Sequence, residues 1–282
     1  SPSGRIRTTS RSAAARAAPP PHATSAPQDP ERGPGSRLYA NRGDGTFRAV
    51  TAAVGIDLRR WAMGVAVADY DGDGFDDIYV TCYGPNVLLR NTPDGSGGRR
   101  FVDVAAEAGV ADARWGTSAA FGDLDGDDDL DLYVVNYLEF DPESPPDRTG
   151  KVYRGVPVMA GPAGLAAQGD VLYENRGGDT PAFEDVTERS GCAAEEPGYG
   201  LGVVMLDFDD DGRLDIFVGN DSTGNFLFHN LGGGTFEDVG VLSGVSANYE
   251  GVTQATMGIA VGDVDGNGYP DLFSTNFASD IN

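Results

Sequence analysis

The sequence predicts an all-β fold, a β-propeller of four-stranded blades, from three observations. A segment with an aspartate-rich loop occurs four times, and it alternates with a second element that ends in asparagine and a glycine-rich turn. Short runs of β-branched and aromatic residues flank both elements, which is typical of strands. Four antiparallel strands in a unit of about 55 residues match a propeller blade, and no segment carries the apolar period of a helical repeat.

The repeat predicts the order of the strands along the chain. It begins with a pair of strands at 37–41 and 46–50, continues through three full blades, and ends with a pair at 257–263 and 271–276. The strands of the first full blade are predicted at 64–69, 77–82, 86–91 and 100–104. The two terminal pairs could combine and close a ring of four blades. We instead expect about four blades' worth of strands from a larger ring, because a two-stranded blade exposes a sheet edge.

Two segments fall outside this pattern. Residues 1–36 are rich in alanine, proline and arginine, show no hydrophobic periodicity, and are predicted to be disordered. The propeller then covers residues 37–282, with an insertion of about 30 residues at 139–170. A loop of that length is usually functional or disordered. Its candidate contact residues are Lys151, Tyr153 and Arg154, and the alternative is that the insertion only covers the central channel or neighbouring blades.

The charge of the chain excludes some classes of partner. The chain has 44 acidic and 20 basic residues, which give a formal charge of −24 at pH 7. Such a charge argues against binding nucleic acid or an anionic membrane surface, and no run of about 18 apolar residues could span a membrane. The two cysteines, Cys82 and Cys192, fall at structural positions of the repeat and are predicted to be buried free thiols.

The four aspartate-rich loops carry the candidate chemistry. Acidic residues alternate at positions 1, 3 and 5, glycine follows at position 6, and an aspartate at position 9 begins the next strand. Oxygen ligands in such number suit Ca²⁺, whereas softer metals prefer His or Cys. The predicted side-chain ligands are Asp69, Asp71, Asp73 and Asp77 in loop one; Asp123, Asp125, Asp127 and Asp131 in loop two; Asp207, Asp209, Asp211 and Asp215 in loop three; and Asp263, Asp265, Asn267 and Asp271 in loop four.

Two alternative interpretations of these loops are weaker. An EF-hand needs Glu at position 12, which is here Val80, Val134, Val218 or Ser274. Acids that merely solubilise turns would not be packed so closely, since two carboxylates ~5 Å apart repel by about 3 kcal/mol at an effective dielectric near 20. Loop two differs from the others because Asp128 replaces the glycine, and it is the loop whose turn we expect to form less easily.

These loops and their flanking strands resemble the FG-GAP/VCBS repeat of integrin-α-like propellers over about residues 37–282. The element Leu-Tyr-Ala-Asn-Arg-Gly-Asp-Gly-Thr-Phe at 38–47 is more narrowly similar to the cartilage acidic protein (ASPIC/UnbV) family. Ala160 stands where that family is expected to have cysteine. The resemblance implies a larger ring of about seven blades, a C-terminal UnbV domain, and coordination by the position 7 carbonyls, which belong to Phe75, Asp129, Arg213 and Tyr269.

These observations favour a binding scaffold over an enzyme. The sequence has no phosphate loop, nucleophile elbow or zinc motif, and His229 falls at a variable strand position that predicts exposure. The leading interpretation is an extracellular or periplasmic propeller that holds up to four Ca²⁺ and binds a protein or glycan. The alternatives are a polysaccharide lyase or hydrolase working across the insertion face, and a non-catalytic module of a larger secreted protein. A cluster of Tyr, Arg, His and carboxylate on that face would favour the enzyme.

Overall fold

The computed structural model describes most of the predicted propeller. Its described residues are 35–144, 161–162, 164–178 and 182–277, with the backbone of 152–153 and 156–157. Almost all of the segment predicted to be disordered therefore lies outside the described residues, as do Lys151 and Arg154. Within the described residues, no helix is long and apolar enough to cross a membrane.

Three four-stranded antiparallel sheets form the centre of the molecule, as the repeat predicts. The first contains β3 (Trp61–Ala68), β4 (Asp77–Tyr83), β5 (Val87–Pro93) and β6 (Arg99–Asp103). The second contains β7 (Gly116–Gly122), β8 (Asp131–Asn136), β11 (Val171–Asn175) and β12 (Phe183–Asp185). The third contains β13 (Gly200–Leu206), β14 (Asp215–Asn220), β15 (Phe226–Gly232) and β16 (Thr235–Asp238). Strands consecutive within a blade pair with each other, so each sheet is one blade.

Two-stranded sheets stand before and after these blades. The first is β1 (Tyr39–Asn41) with β2 (Phe47–Ala49), and the last is β17 (Thr256–Gly262) with β18 (Asp271–Asn276). Among the described residues they are separate sheets, and the pairing that would close a ring of four blades is not formed there. The insertion contains a further short pair, β9 (Val152–Tyr153) and β10 (Val156–Pro157).

A single helical turn follows the fourth strand of each full blade, which the sequence analysis does not anticipate. These turns are α1 (Ala105–Ala108), α2 (Thr187–Ser190) and α3 (Gly240–Ser243). An aspartate two residues earlier accepts a hydrogen bond from the first backbone N–H of each turn, as Asp103 does from Ala105 at 3.1 Å. A glycine in the left-handed region ends each turn, with φ of 83° at Gly109.

The apolar core lies between neighbouring blades. One buried cluster joins Tyr79 and Leu88 of the first blade to Leu132 and Tyr173 of the second, and a second cluster joins the second blade to the third. The first strand of the third blade approaches the second strand of the second blade so closely that a Cβ on Gly200 would lie 2.2 Å from Val135 Cγ1. Both cysteines are buried free thiols, which confirms that prediction.

Candidate metal sites

Each aspartate-rich loop joins the first and second strands of a blade and curls around its position 1 aspartate. Asp69 accepts backbone N–H hydrogen bonds from Asp73 (3.0 Å) and Gly74 (2.8 Å), one at each carboxylate oxygen. The same two contacts are made by Asp123, Asp207 and Asp263. Position 12 lies inside the second strand in all four loops, so the rejection of an EF-hand is confirmed.

The turn of each loop needs left-handed backbone at position 6. Gly74 has a φ of 86°, and Asp128 of loop two adopts the same region with a φ of 72°. Aspartate therefore replaces glycine there without preventing the turn. At position 7 the backbone N–H donates to the side chain at position 5, at 2.8–2.9 Å, in Phe75, Asp129, Arg213 and Tyr269. Coordination by the carbonyl groups of these residues stays a prediction.

Predicted ligands come together in every loop. One carboxylate oxygen from each of three aspartates lies within 4.8 Å of the other two in the sets Asp69, Asp71 and Asp77; Asp123, Asp125 and Asp127; Asp207, Asp209 and Asp215; and Asp263, Asp265 and Asp271. Asp73 is not in the first set and pairs with Arg99 at 2.8 Å. Asp131 is not in the second, and its two oxygens accept backbone N–H groups. In loop four the amide of Asn267 donates to Asp265 at 3.1 Å.

The position 9 aspartates of the three full blades are buried. Asp77, Asp131 and Asp215 expose 1%, 2% and 0% of their surface. Burial raises the pKa of Asp77 to about 6 and that of Asp131 to about 7. Asp77 Oδ2 makes no hydrogen bond of standard geometry within the described residues. Burial disfavours the charged form of these carboxylates because the surrounding protein replaces too little of their hydration. A cation bound beside them would stabilise the charged form.

The third strand of each full blade supplies residues that the sequence analysis does not assign to the loops. The backbone N–H of Asn91, Asn175 or Asn230 donates to the position 9 aspartate of its own blade at 2.7–2.9 Å. The side-chain amides of the latter two also reach a carbonyl in the preceding blade's loop. The recurrence of asparagine at this position is the sequence signal that could have shown this role.

Two arginines from the third and fourth strands of the first blade pair with aspartates of loop one. Arg90 Nε lies 2.6 Å from Asp71 Oδ2, and the Asp71 side chain is only 1% exposed. Arg99, from the hairpin between the third and fourth strands, pairs with Asp73 and places its guanidinium carbon 3.4 Å from the centroid of the Phe75 ring. The start of the fourth strand therefore lies on the same face as the loop.

The prediction that His229 is exposed is wrong. Its side chain is only 20% exposed and lies against loop three, with Nδ1 3.1 Å from Asp215 Oδ1 and Nε2 3.8 Å from Asp209 Oδ2. One ligand atom from each of Asp209, Asp211 and His229 lies within 4.8 Å of the others. The position varies between blades because its side chain faces a loop, not because it points freely into solvent.

The opposite face carries an aromatic cluster and the described part of the insertion. Trp115 packs edge-on against Tyr83 and Tyr137, with ring centroids 5.4 Å apart in both pairs. The hydroxyls of Tyr83 and Tyr199 donate to carbonyl groups of the insertion at 2.7 and 2.8 Å. The described part of the insertion thus packs on the face opposite the aspartate-rich loops. Among the described residues the histidine, His229, lies at the other face, against loop three.

Asp170 stands where the other two full blades have Asn86 and Asn225. All three side chains accept a backbone N–H near the end of the second strand through Oδ1, at 2.8–2.9 Å. Burial raises the pKa of Asp170 to about 7, although two hydrogen bonds and Arg114 act in the opposite direction. The carboxyl lines a cavity of about 330 Å³ between the second and third blades.

Comparison with known proteins places the repeat in a family. A model of the FG-GAP-like repeat matches residues 28–80, 69–134 and 207–274, which include all four loops. Cartilage acidic protein 1 of Homo sapiens is 32% identical over 193 residues, covering 67% of this chain and 25% of that protein. The Mus musculus protein of the same name is 27% identical over 242 residues, covering 77% and 31%. The chain thus spans about a quarter to a third of these curated relatives.

The comparison with solved structures also found a similar chain. A lectin of Agrocybe aegerita, described as recognising non-reducing terminal N-acetylglucosamine, covers 84% of this chain and 54% of its own, at 19% identity and a TM-score of 0.40. That likeness is too low to say what this chain binds. The repeat model and the curated relatives confirm the resemblance seen in the sequence, and the chain belongs to the family of proteins with FG-GAP-like repeats.

Proposed function

We propose that this chain is a Ca²⁺-binding propeller module that serves as an interaction scaffold outside the cell or in the periplasm. The observation that carries the proposal is the convergence of three carboxylates within 4.8 Å in each of four loops. At ~5 Å and an effective dielectric near 20, each pair repels by about 3 kcal/mol, so a shared cation stabilises the folded loop. Ca²⁺ would join the first and second strands of each blade.

The donor set of the loops fits this ion. The converging atoms are carboxylate oxygens, and Ca²⁺ accepts about six to eight oxygens at flexible geometry, whereas Mg²⁺ rarely uses such a protein-supplied cage. The position 1 carboxylates are already oriented by backbone N–H groups, so binding requires little further ordering. With four Ca²⁺ bound, the formal charge of −24 would fall to about −16.

The candidate Ca²⁺ sites also support a location and a class of partner for the module. Extracellular Ca²⁺ is abundant enough to fill even weak sites, and the matched relatives are named for cartilage. A loop face fixed by Ca²⁺ and a separate aromatic and insertion face give the module two rigid surfaces for a protein or glycan. The acidic charge that remains argues against nucleic acid as the partner.

A thermal melt tests calcium binding directly. The chain is freed of metal with a chelator and melted alone, with Ca²⁺, and with Mg²⁺ at the same concentration. Ca²⁺ at about 100 times its Kd should add roughly 2.7 kcal/mol per site and raise the melting temperature by several degrees, with a smaller rise for Mg²⁺. Identical melts in all three buffers, with no Ca²⁺ retained after dialysis, would refute the proposal.

A further inference from the structure

One position of the third strand faces a loop in each full blade and carries a different side chain each time. It precedes the asparagine that binds the position 9 aspartate, and it is Arg90 in β5, Glu174 in β11 and His229 in β15. Arg90 pairs with a loop-one carboxylate, whereas Glu174 pairs with Arg176 and Arg189. The three loops are therefore chemically distinct although their aspartates are alike.

Loop three is the loop that gains a nitrogen donor. The imidazole of His229 is wedged between Asp209 and Asp215 and packs against the ring of Phe208, with centroids 5.3 Å apart. One atom from each of Asp209, Asp211 and His229 lies within 4.8 Å of the others. This set shares only Asp209 with the all-oxygen set of the same loop, so loop three offers two different donor sets.

The nitrogen-containing set has the chemistry of a zinc site. Imidazole with two carboxylates suits Zn²⁺ and related transition ions, whereas Ca²⁺ selects oxygen. Two ligand atoms at bond lengths of about 2.1 Å in a tetrahedron stand about 3.4 Å apart, and Nε2 of His229 stands 3.8 Å from Asp209 Oδ2. Metal-bound histidines usually donate their other N–H to a carboxylate, and Asp215 Oδ1 lies 3.1 Å from Nδ1.

We propose that loop three binds a Zn²⁺-class transition ion through Nε2 of His229 and the carboxylates of Asp209 and Asp211. The inference rests on the proposed cation binding by the loops and assigns a second, softer specificity to one of them. Arg213, whose guanidinium pairs with Asp211, is the internal cation that the ion displaces. Loops one and two lack this specificity because their equivalent side chains are a guanidinium and a carboxylate.

Calorimetric titration of the chelator-treated protein with Zn²⁺ tests this assignment, because Ca²⁺ would compete for Asp209. The protein is untagged and carries His22→Gln, which leaves His229 as its one imidazole. We expect one Zn²⁺ to bind, and His229→Gln to weaken it roughly tenfold or more while the Ca²⁺-dependent rise in melting temperature is kept. Glu174→Gln alters the equivalent position of the second blade and should leave Zn²⁺ affinity unchanged.

An NMR titration tests the same assignment without a substitution in loop three. The imidazole nitrogen signals of the His22→Gln protein should shift on addition of one equivalent of Zn²⁺ and stay in place with Ca²⁺. Unmoved imidazole signals, or equal Zn²⁺ affinity in His229→Gln, would overturn the assignment. Binding of Ca²⁺ without Zn²⁺ would overturn it and leave the proposed function standing, whereas no response to either ion would overturn both.

Discussion

The side-chain amide of Asn175 donates a hydrogen bond to the backbone carbonyl of Tyr70, 105 residues earlier, at 3.0 Å. Tyr70 is position 2 of loop one, while Asn175 ends the third strand of the second blade. The contact recurs between Asn230 and Leu124, at 2.9 Å, one blade further on. Loops one and two are therefore each fixed by the blade that follows them, which makes neighbouring loops parts of one structure.

Removing the side-chain amide of Asn175 should weaken the contact between the first and second blades. Asn175→Ala leaves the buried carbonyl of Tyr70 and the partly buried carbonyl of Leu130 without this donor, and we expect a loss of about 1–3 kcal/mol in the free energy of unfolding. Urea denaturation measures it. Asn91→Ala is the matched control, since its amide reaches an exposed carbonyl of its own blade, and it should cost less than ~1 kcal/mol. Equal losses in both variants would show that the contact between blades is unimportant.

The repeat predicts the blades and loops because both leave periodic signals. Strand β18 is predicted at 271–276 and forms there, and the loop aspartates converge as their spacing indicates. The one-turn helices were missed although their signals recur, an aspartate such as Asp103 before each turn and a glycine such as Gly109 after it. Single turns are too short to show an apolar period, so periodicity cannot find them.

Contacts between elements could not be predicted in the same way. In the sequence, the variation at Arg90, Glu174 and His229 is typical of an exposed position. In the structure, each of these side chains contacts different charged partners. These partners depend on which residues of the second strand and the loop lie opposite the variable position. A single sequence does not show which residues those are. For the same reason the sequence shows an asparagine at the end of the second repeated element, but it does not show that Asn175 links two blades.

Removing Arg90 should make loop one more dependent on calcium. Arg90→Gln takes the internal cation away from Asp71, so we expect the chelated protein to lose about 1–3 kcal/mol and the Ca²⁺-bound protein to lose less. The difference between melting temperatures in Ca²⁺ and in chelator should therefore widen. Arg59→Gln, which breaks an exposed pair with Asp57, should leave that difference unchanged. A constant difference in Arg90→Gln would mean that the guanidinium does not compete with the ion.

Neutralising one position 1 aspartate should remove one calcium. Asp207→Asn in loop three keeps the size of the side chain but loses a charge and an oxygen acceptor for the N–H of Asp211 or Gly212. We expect one Ca²⁺ fewer per chain by equilibrium dialysis and a smaller Ca²⁺-dependent rise in melting temperature. Asp57→Asn, at an exposed aspartate outside the loops, is the control. Unchanged stoichiometry in Asp207→Asn would contradict the assignment of this ligand.

The two thiols should be inert in the folded chain. Cys82 and Cys192 are 0% and 2% exposed, and burial raises their pKa values to about 11 and about 12. At pH 8 both are therefore protonated as well as shielded from solvent, and a disulfide reagent such as DTNB should react with neither. In denaturant the same reagent should titrate two thiols per chain. Rapid reaction under native conditions would show that the interfaces between blades open readily.

Asp170 should make the protein less stable as the pH rises. Because burial raises its pKa to about 7 in the folded state, the unfolded chain releases this proton first, and stability falls between about pH 4 and pH 7. Asp170→Asn restores the residue of the other blades, keeps the acceptor for the N–H of Asn136 and removes the titration. The variant should therefore be more stable than the parent at pH 8, with the advantage shrinking towards pH 4. Urea denaturation at both pH values measures this, and Asn225→Asp should show the converse loss at pH 8. An advantage that does not change with pH would attribute the effect to packing rather than to charge.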